Sequence, residues 1–309
     1  MDFKQHITGV ILGLAMMPAQ AALNVFACEP EWADLVRALV PNADIHTATA
    51  ARQDPHYIEA RPSLIAAMRR ADLAVCTGAS LEAGWLPALI SRASNRDIQP
   101  GKPGLFFATE QVTLHQPHDH VDRSMGDVHP EGDPHVHLDP QRVPEIVDAL
   151  ADRLIELAPD HSNMIRLRQL QWQVRWKLST AQWQEAAANL KGMPIAVQHA
   201  TFGYLLRWLG VDAAIDLEPK PGLPPSAAHL RKVLSDPSLQ TAKLVLIATY
   251  QDERPARWLS EQTGLPVEVL PGTVTDEAGT DSLANLISHI IERLQQYQEE
   301  SPPEVGSHG

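Results

Sequence analysis

The chain has 309 residues, 44% of them hydrophobic and 20% charged, which is the composition of a globular protein long enough for two ordinary domains. Its net charge of −13 disfavours nucleic acid and anionic lipid as partners. Histidine is the unusual residue: there are 14, and six of them lie between His115 and His137.

The first residues read as a signal peptide, assigned to residues 1–22. Lys4 gives a thin positive region, Ile7 to Met17 an apolar stretch too short to span a membrane, and Ala19-Gln20-Ala21 a cleavage signal. A buried N-terminal helix is the alternative. Cys28 invites a lipoprotein reading, but Val25-Phe26-Ala27 is a poor lipobox. Export to the periplasm is expected. In that oxidising compartment the two cysteines, Cys28 and Cys76, form a disulfide, provided that strand pleating does not face them to opposite sides of the sheet as buried thiols.

Strands and helices then alternate. Strands are expected at Leu23–Cys28, Asp44–Thr49, Asp72–Cys76 and Leu105–Ala108, and helices at Glu31–Leu39, Pro62–Arg70 and Leu81–Ala93. Residues 115–140 break the pattern with a His-, Asp- and Pro-rich loop. Pro144–Leu157 resumes a helix. Asn163–Leu190 is the longest stretch without proline or glycine; Leu167, Leu170, Val174 and Leu178 recur at helical spacing, as do Trp172 and Trp176. After Gly192 the alternation returns, with strands at Ile195–Gln198, Ala213–Leu217, Leu244–Ala248 and Val267–Leu270. Helices are expected at Phe202–Leu209, Arg254–Thr263 and Asp281–Leu294. The fold class is α/β: two lobes of parallel sheet flanked by helices, joined by one long rigid linking helix. The divisions are an N-terminal lobe at 23–158 with a His-rich loop at 115–133, a linking helix at 159–191, a C-terminal lobe at 192–295 and a polar tail at 296–309.

Three histidines stand in similar connections between elements: His56 in Asp54-Pro55-His56-Tyr57, His135 in Asp133-Pro134-His135-Val136-His137, and His199 in Gln198-His199-Ala200-Thr201. They are far apart in the chain, unlike the ligands of a small zinc finger. Loops at the carboxyl ends of strands bring such residues to a cleft between lobes. Three imidazoles suit zinc better than manganese, which takes more oxygen ligands.

Residues 54–63, continued by Ala71-Asp72-Leu73-Ala74-Val75-Cys76-Thr77-Gly78 and Leu81-Glu82-Ala83-Gly84-Trp85-Leu86, resemble the metal-specific solute-binding proteins of zinc and manganese ABC importers. So do Pro134-His135-Val136-His137-Leu138-Asp139-Pro140 and His199-Ala200-Thr201-Phe202-Gly203-Tyr204-Leu205. The matches run in order over roughly residues 23–295. The resemblance implies a periplasmic receptor that binds Zn2+ in the interlobe cleft and passes it to an ABC importer permease. It implies His56, His135 and His199 as ligands. The fourth ligand would be a carboxylate after the strand at Val267–Leu270, either Asp276 or Asp281, the latter equally a helix N-cap.

His137 stands where tryptophan is usual and is either a helper ligand or a packed side chain. The tract holding His115, His118, His120 and His129, with Asp119, Asp122 and Asp127, resembles the loop that zinc-type members insert. It would bind metal weakly, raising local zinc or accepting it from a periplasmic zinc-donor chaperone, or be an insertion with no role. A monomer is expected. The rival readings are a zinc-dependent hydrolase and an adhesin or zinc store acting without a permease. Against the first, there is no His-Glu-x-x-His and no Ser or Cys nucleophile motif.

Overall fold

Short runs of β-branched and small apolar residues, each closed by a polar loop, build two parallel sheets in a computed structural model that describes residues 22–118, 125–126 and 128–299. The signal peptide (save Ala22), Asp119, His120, Asp122, Asp127 and the tail beyond Glu299 lie outside the described residues. The first sheet holds β1 (Asn24–Ala27), β2 (Asp44–Thr47), β3 (Leu73–Cys76) and β4 (Leu105–Phe107) in the order β2-β1-β3-β4. The second holds β5 (Pro194–Val197), β6 (Asp212–Asp216), β7 (Val245–Ala248) and β8 (Val267–Leu270) in the order β6-β5-β7-β8. All pairings are parallel. The two lobes therefore repeat one doubly wound plan, and each gathers its loops at the carboxyl ends of its strands.

The helices are α1 (Pro30–Leu39), α2 (Pro62–Arg70), α3 (Leu86–Ala93), α4 (Val143–Leu157), α5 (Ser162–Ala186), α6 (Gly203–Leu209), α7 (Ala227–Leu234), α8 (Arg254–Thr263) and α9 (Leu283–Glu299). Pro sits in the first turn of α1 to α4 and of α8, where its missing N–H costs no hydrogen bond. Helices α2 and α3 cover one face of the first sheet and α7 and α8 one face of the second. The other two faces share a single apolar core, filled by α1, α4, α6, α9 and the tryptophans of α5. Trp172 stacks on Trp176, and the edge of Trp183 meets Trp176. The Trp176 indole N–H donates to the Pro140 carbonyl and that of Trp183 to Ser288 Oγ on α9, so α5 is tied to both lobes.

Four details differ from the sequence reading. Only one of the two periodic rows on α5 is core: Trp172 and Trp176 are buried, while Leu167, Leu170, Val174 and Leu178 face solvent. Helix α3 starts at Leu86 rather than Leu81, because residues 79–85 are turns and Gly78, Ala79 and Ser80 have φ of 84°, 47° and 64°. Helix α7, capped by the Ser226 side chain, was not anticipated; eight residues between prolines and polar loops carry little periodicity. Helix α9 runs to Glu299, beyond the start assigned to the polar tail.

Cys28 and Cys76 continue the β1–β3 register and lie on the same face of the sheet as Phe26 and Ala74, so the pleat brings them together. They are disulfide-bonded, with Cα atoms 4.8 Å apart. The bond spans 48 residues, which in the chain-entropy account contributes about 4 kcal/mol. Thiol titration of unfolded, unreduced protein should find no free thiol; two per chain would rule out the crosslink.

Candidate metal centre

The sequence Asp-Pro-His occurs twice in the described residues, and each copy folds into the same small device. In the β2–α2 connection Asp54 Oδ1 accepts the backbone N–H of His56 (3.0 Å) and its Nδ1–H (2.7 Å). Before the 3-10 turn at Val136–Leu138, Asp133 Oδ1 accepts the same two groups from His135 at the same distances. One carboxylate oxygen thus fixes both backbone and ring. His199 follows β5 with φ of 70°, a left-handed conformation rare for a residue with a side chain. Its backbone N–H donates to Asp216 Oδ1 and its Nδ1 donates to Glu218 Oε2 at 3.0 Å.

These three rings converge. The centroid of His199 lies 5.7 Å from that of His135 and 6.3 Å from that of His56. Imidazoles sharing a tetrahedral zinc have centroids about 5 Å apart, so these rings are neighbours that must draw closer together to share one ion. With Nδ1 of each ring donating to a carboxylate, the proton position is set and Nε2 is left with its lone pair. In His135 that Nε2 is buried and has no hydrogen-bond partner, a costly state that a bound cation relieves.

A fourth ring belongs to the cluster. His129 Nε2 is 3.2 Å from His56 Nε2, and its Nδ1 donates to the Ala79 carbonyl at 2.8 Å. Two lone pairs at that distance require a proton or a cation between them. Burial, reinforced by the charges of His56 and His135, pushes His129 down to about 4. Burial also lowers His135, against the pull of Asp133. His199 goes the other way: burial would lower it, but the hydrogen bond and charge of Glu218 raise it above its usual 6.5. Asp54 and Asp133 are held below the ordinary carboxylate range, burial being outweighed by the hydrogen bonds and charge of their histidines. The centre therefore sets imidazole nitrogens inside a ring of carboxyl groups, the pattern of a site for a divalent cation.

The remaining expected residues fall elsewhere. Two clefts meet at His199, one lined by His129, Asp133 and His135, the other by Asp54, His56 and Glu218; Asp276 and Asp281 line neither. Both aspartates are exposed, and Asp281 accepts from the Asn285 side chain at the start of α9. In this structure neither Asp276 nor Asp281 lies among the histidines: the segment beyond β8 meets α1, where Thr273 Oγ1 donates to Glu31, and leads into α9. His137 is the packed alternative. It is buried, its Nε2 donates to the Gly272 carbonyl of the other lobe (2.8 Å), and Glu31 lies 3.4 Å from its Nδ1. His115 lies on the Tyr204 ring, and His118 is exposed. Sequence reasoning grouped His129 with the loop histidines, and it did not single out Asp54, Asp133 and Glu218. The repeated Asp two positions before a histidine was the available signal for the first two.

The profile of the family described as the periplasmic component A of zinc-uptake complexes (ZnuA) matches residues 25–297. The zinc-binding lipoprotein AdcA of Streptococcus pneumoniae serotype 4 is 24% identical over 82% of this chain and 50% of its own. The chain thus spans about half the length of that relative. The high-affinity zinc uptake system protein ZnuA of Yersinia pestis is 25% identical over 76% of this chain and 78% of its own. Among solved structures, a ZnuA crystal structure superposes with a TM-score of 0.75 at 19% identity, covering 90% of this chain and all of the other. The periplasmic zinc binding protein TroA from Treponema pallidum gives 0.74 at 17%, covering 91% of this chain and all of the other. These superpositions establish the shared two-lobed fold.

Long-range proton–nitrogen spectra of metal-free protein at neutral pH should show His129 and His135 as neutral rings protonated at Nδ1. On acidification His199 should protonate before either of them. Protonation of neutral His129 or His135 at Nε2 would contradict the geometry.

Proposed function

The chain belongs to the family of periplasmic zinc-uptake component A proteins, and from that premise we propose that it is an exported receptor that captures Zn2+ between its lobes and delivers it to the membrane permease of an ABC importer. The observation that carries this reading is the convergence of His56, His135 and His199, from both lobes, with the Nε2 of each turned away from a carboxylate-bound Nδ1. We assign these three as ligands. The all-nitrogen set favours zinc over manganese, because manganese gains less from imidazole and more from oxygen donors. The supporting carboxylates Asp54, Asp133 and Glu218 raise the basicity of the rings and offset the charge of the cation.

Loading and release follow from the same parts. Zinc enters as the rings lose any bound protons, and His199 holds its proton to higher pH than His135 or His129 does. Parting the lobes withdraws His199 from His56 and His135 and weakens the site, which is what transfer to a permease requires. Export through the N-terminal signal, a periplasmic zinc donor and action as a monomer remain parts of the proposal.

Competition titration with a chelator should find one tight zinc site per chain. His56→Ala, His135→Ala and His199→Ala should each lose more than the ~10–100-fold expected for removal of a supporting partner. His137→Ala should cost much less. Equal losses for His137 and His135 would show that the ligand set is wrong.

The pH dependence has a defined sign. Because Glu218 raises His199, proton competition should weaken zinc binding as pH falls, beginning above 6.5. Glu218→Gln removes the charge and should move that onset to lower pH. An onset that stays in place in Glu218→Gln would exclude His199 as the controlling group.

A further inference from the structure

We propose that His129 is a fourth protein ligand of the captured metal, so that the centre is closed by four imidazoles with no carboxylate in direct contact. This rests on the reading of the cleft as the zinc site and specifies how that site is completed.

The first support is distance. Zinc–imidazole bonds of about 2.0–2.1 Å at tetrahedral angles separate the two nitrogens by about 3.3 Å. The Nε2 atoms of His56 and His129 are 3.2 Å apart. Their ring centroids are 5.3 Å apart, and Nδ1 on both rings is already engaged, with Asp54 Oδ1 and with the Ala79 carbonyl, so Nε2 is the atom each ring has left to offer. One cation placed to accept His56 Nε2 therefore meets His129 Nε2 as well.

The second support is the scaffold that holds His129. Its Nδ1 partner is the Ala79 carbonyl, and Gly78, Ala79 and Ser80 all have positive φ. Ala79 and Ser80 are not residues that adopt this readily, so the surroundings must hold the turn in place. Glu82 does so by accepting the Thr77 and Gly78 amide hydrogens, and Ser80 Oγ donates to Glu131, two residues beyond His129. The turn thus grips the His129 segment at two points. A histidine that merely belonged to a polar insertion would not need a strained turn to fix its ring with Nε2 facing another ligand.

The third support is the destination of the nearby carboxylates. Asp54, Asp133 and Glu218 each accept from an Nδ1 on the outer side of a ring, and Asp276 and Asp281 are exposed. Among the described residues, His129 is the group whose free donor atom already lies at coordination distance from another ligand. The consequence is a three-to-one division. His56, His129 and His135 come from the first lobe and its following loop, and His199 alone comes from the second.

Cobalt(II) reports coordination directly. Full-length wild-type protein loaded with Co2+ should show the intense visible bands of a tetrahedral site. The His129→Cys protein should add a near-ultraviolet thiolate-to-cobalt charge-transfer band, and His161→Cys, on the surface between α4 and α5, should not. His129→Ala should retain its far-ultraviolet circular dichroism and lose zinc affinity by more than ~10–100-fold. If the wild-type chain binds Co2+ and Zn2+ tightly while His129→Cys shows no thiolate band and His129→Ala binds zinc unchanged, His129 is not a ligand and the three-histidine reading stands without it. If wild type binds neither metal, the functional reading itself fails and this proposal falls with it.

Discussion

Everything at the centre depends on a hydrogen bond made on the far side of each ring. A free imidazole can carry its proton on either nitrogen, and four free imidazoles would present an unpredictable mixture of donors and acceptors. Here each Nδ1 donates to a fixed oxygen: Asp54, Asp133, Glu218 or the Ala79 carbonyl. That choice leaves every Nε2 as a lone pair and aims it inward. The carboxylates that hold the protons at Nδ1 are held low in turn, and they make the rings better donors at Nε2.

The fold's task is to bring these rings together from distant parts of the chain. Parallel sheets place loops at one edge, and two such sheets face their edges toward a common cleft. Joining the lobes are a shared apolar core, the α5 tryptophans and a set of polar bridges: His137 Nε2 to the Gly272 carbonyl, Thr249 Oγ1 to the Ala51 carbonyl, and the Leu283 amide to Asp34. Tyr204 of α6 adds another by donating to the Asp133 carbonyl directly behind His135. These bridges are polar, whereas the core that the lobes share is apolar.

Much of this was legible in the sequence because it is local. Alternating apolar runs located all eight strands, and the cysteines at the ends of the first and third pointed to the disulfide. The resemblance implies His56, His135 and His199 as ligands, and in the structure the rings of His56 and His135 both neighbour that of His199. What sequence could not give was the direction of a side chain in a loop. Asp276 and His129 are both polar residues in irregular segments; only the tertiary path turns one to solvent and the other toward His56. The exposed leucine row of α5 is a similar case, since two apolar stripes on one helix do not say which of them faces the core. The early part of α3 was misread because the Glu82 carboxylate, by binding loop amides, stabilises a turn that propensity alone would make helical.

In the proposed centre, imidazole nitrogens alone hold the metal. X-ray absorption at the zinc edge of protein loaded with one equivalent measures this most directly. The account predicts four nitrogen scatterers at about 2.0 Å with the multiple-scattering pattern of imidazole rings. A shell that requires a carboxylate oxygen, or fewer than four imidazoles, would contradict it.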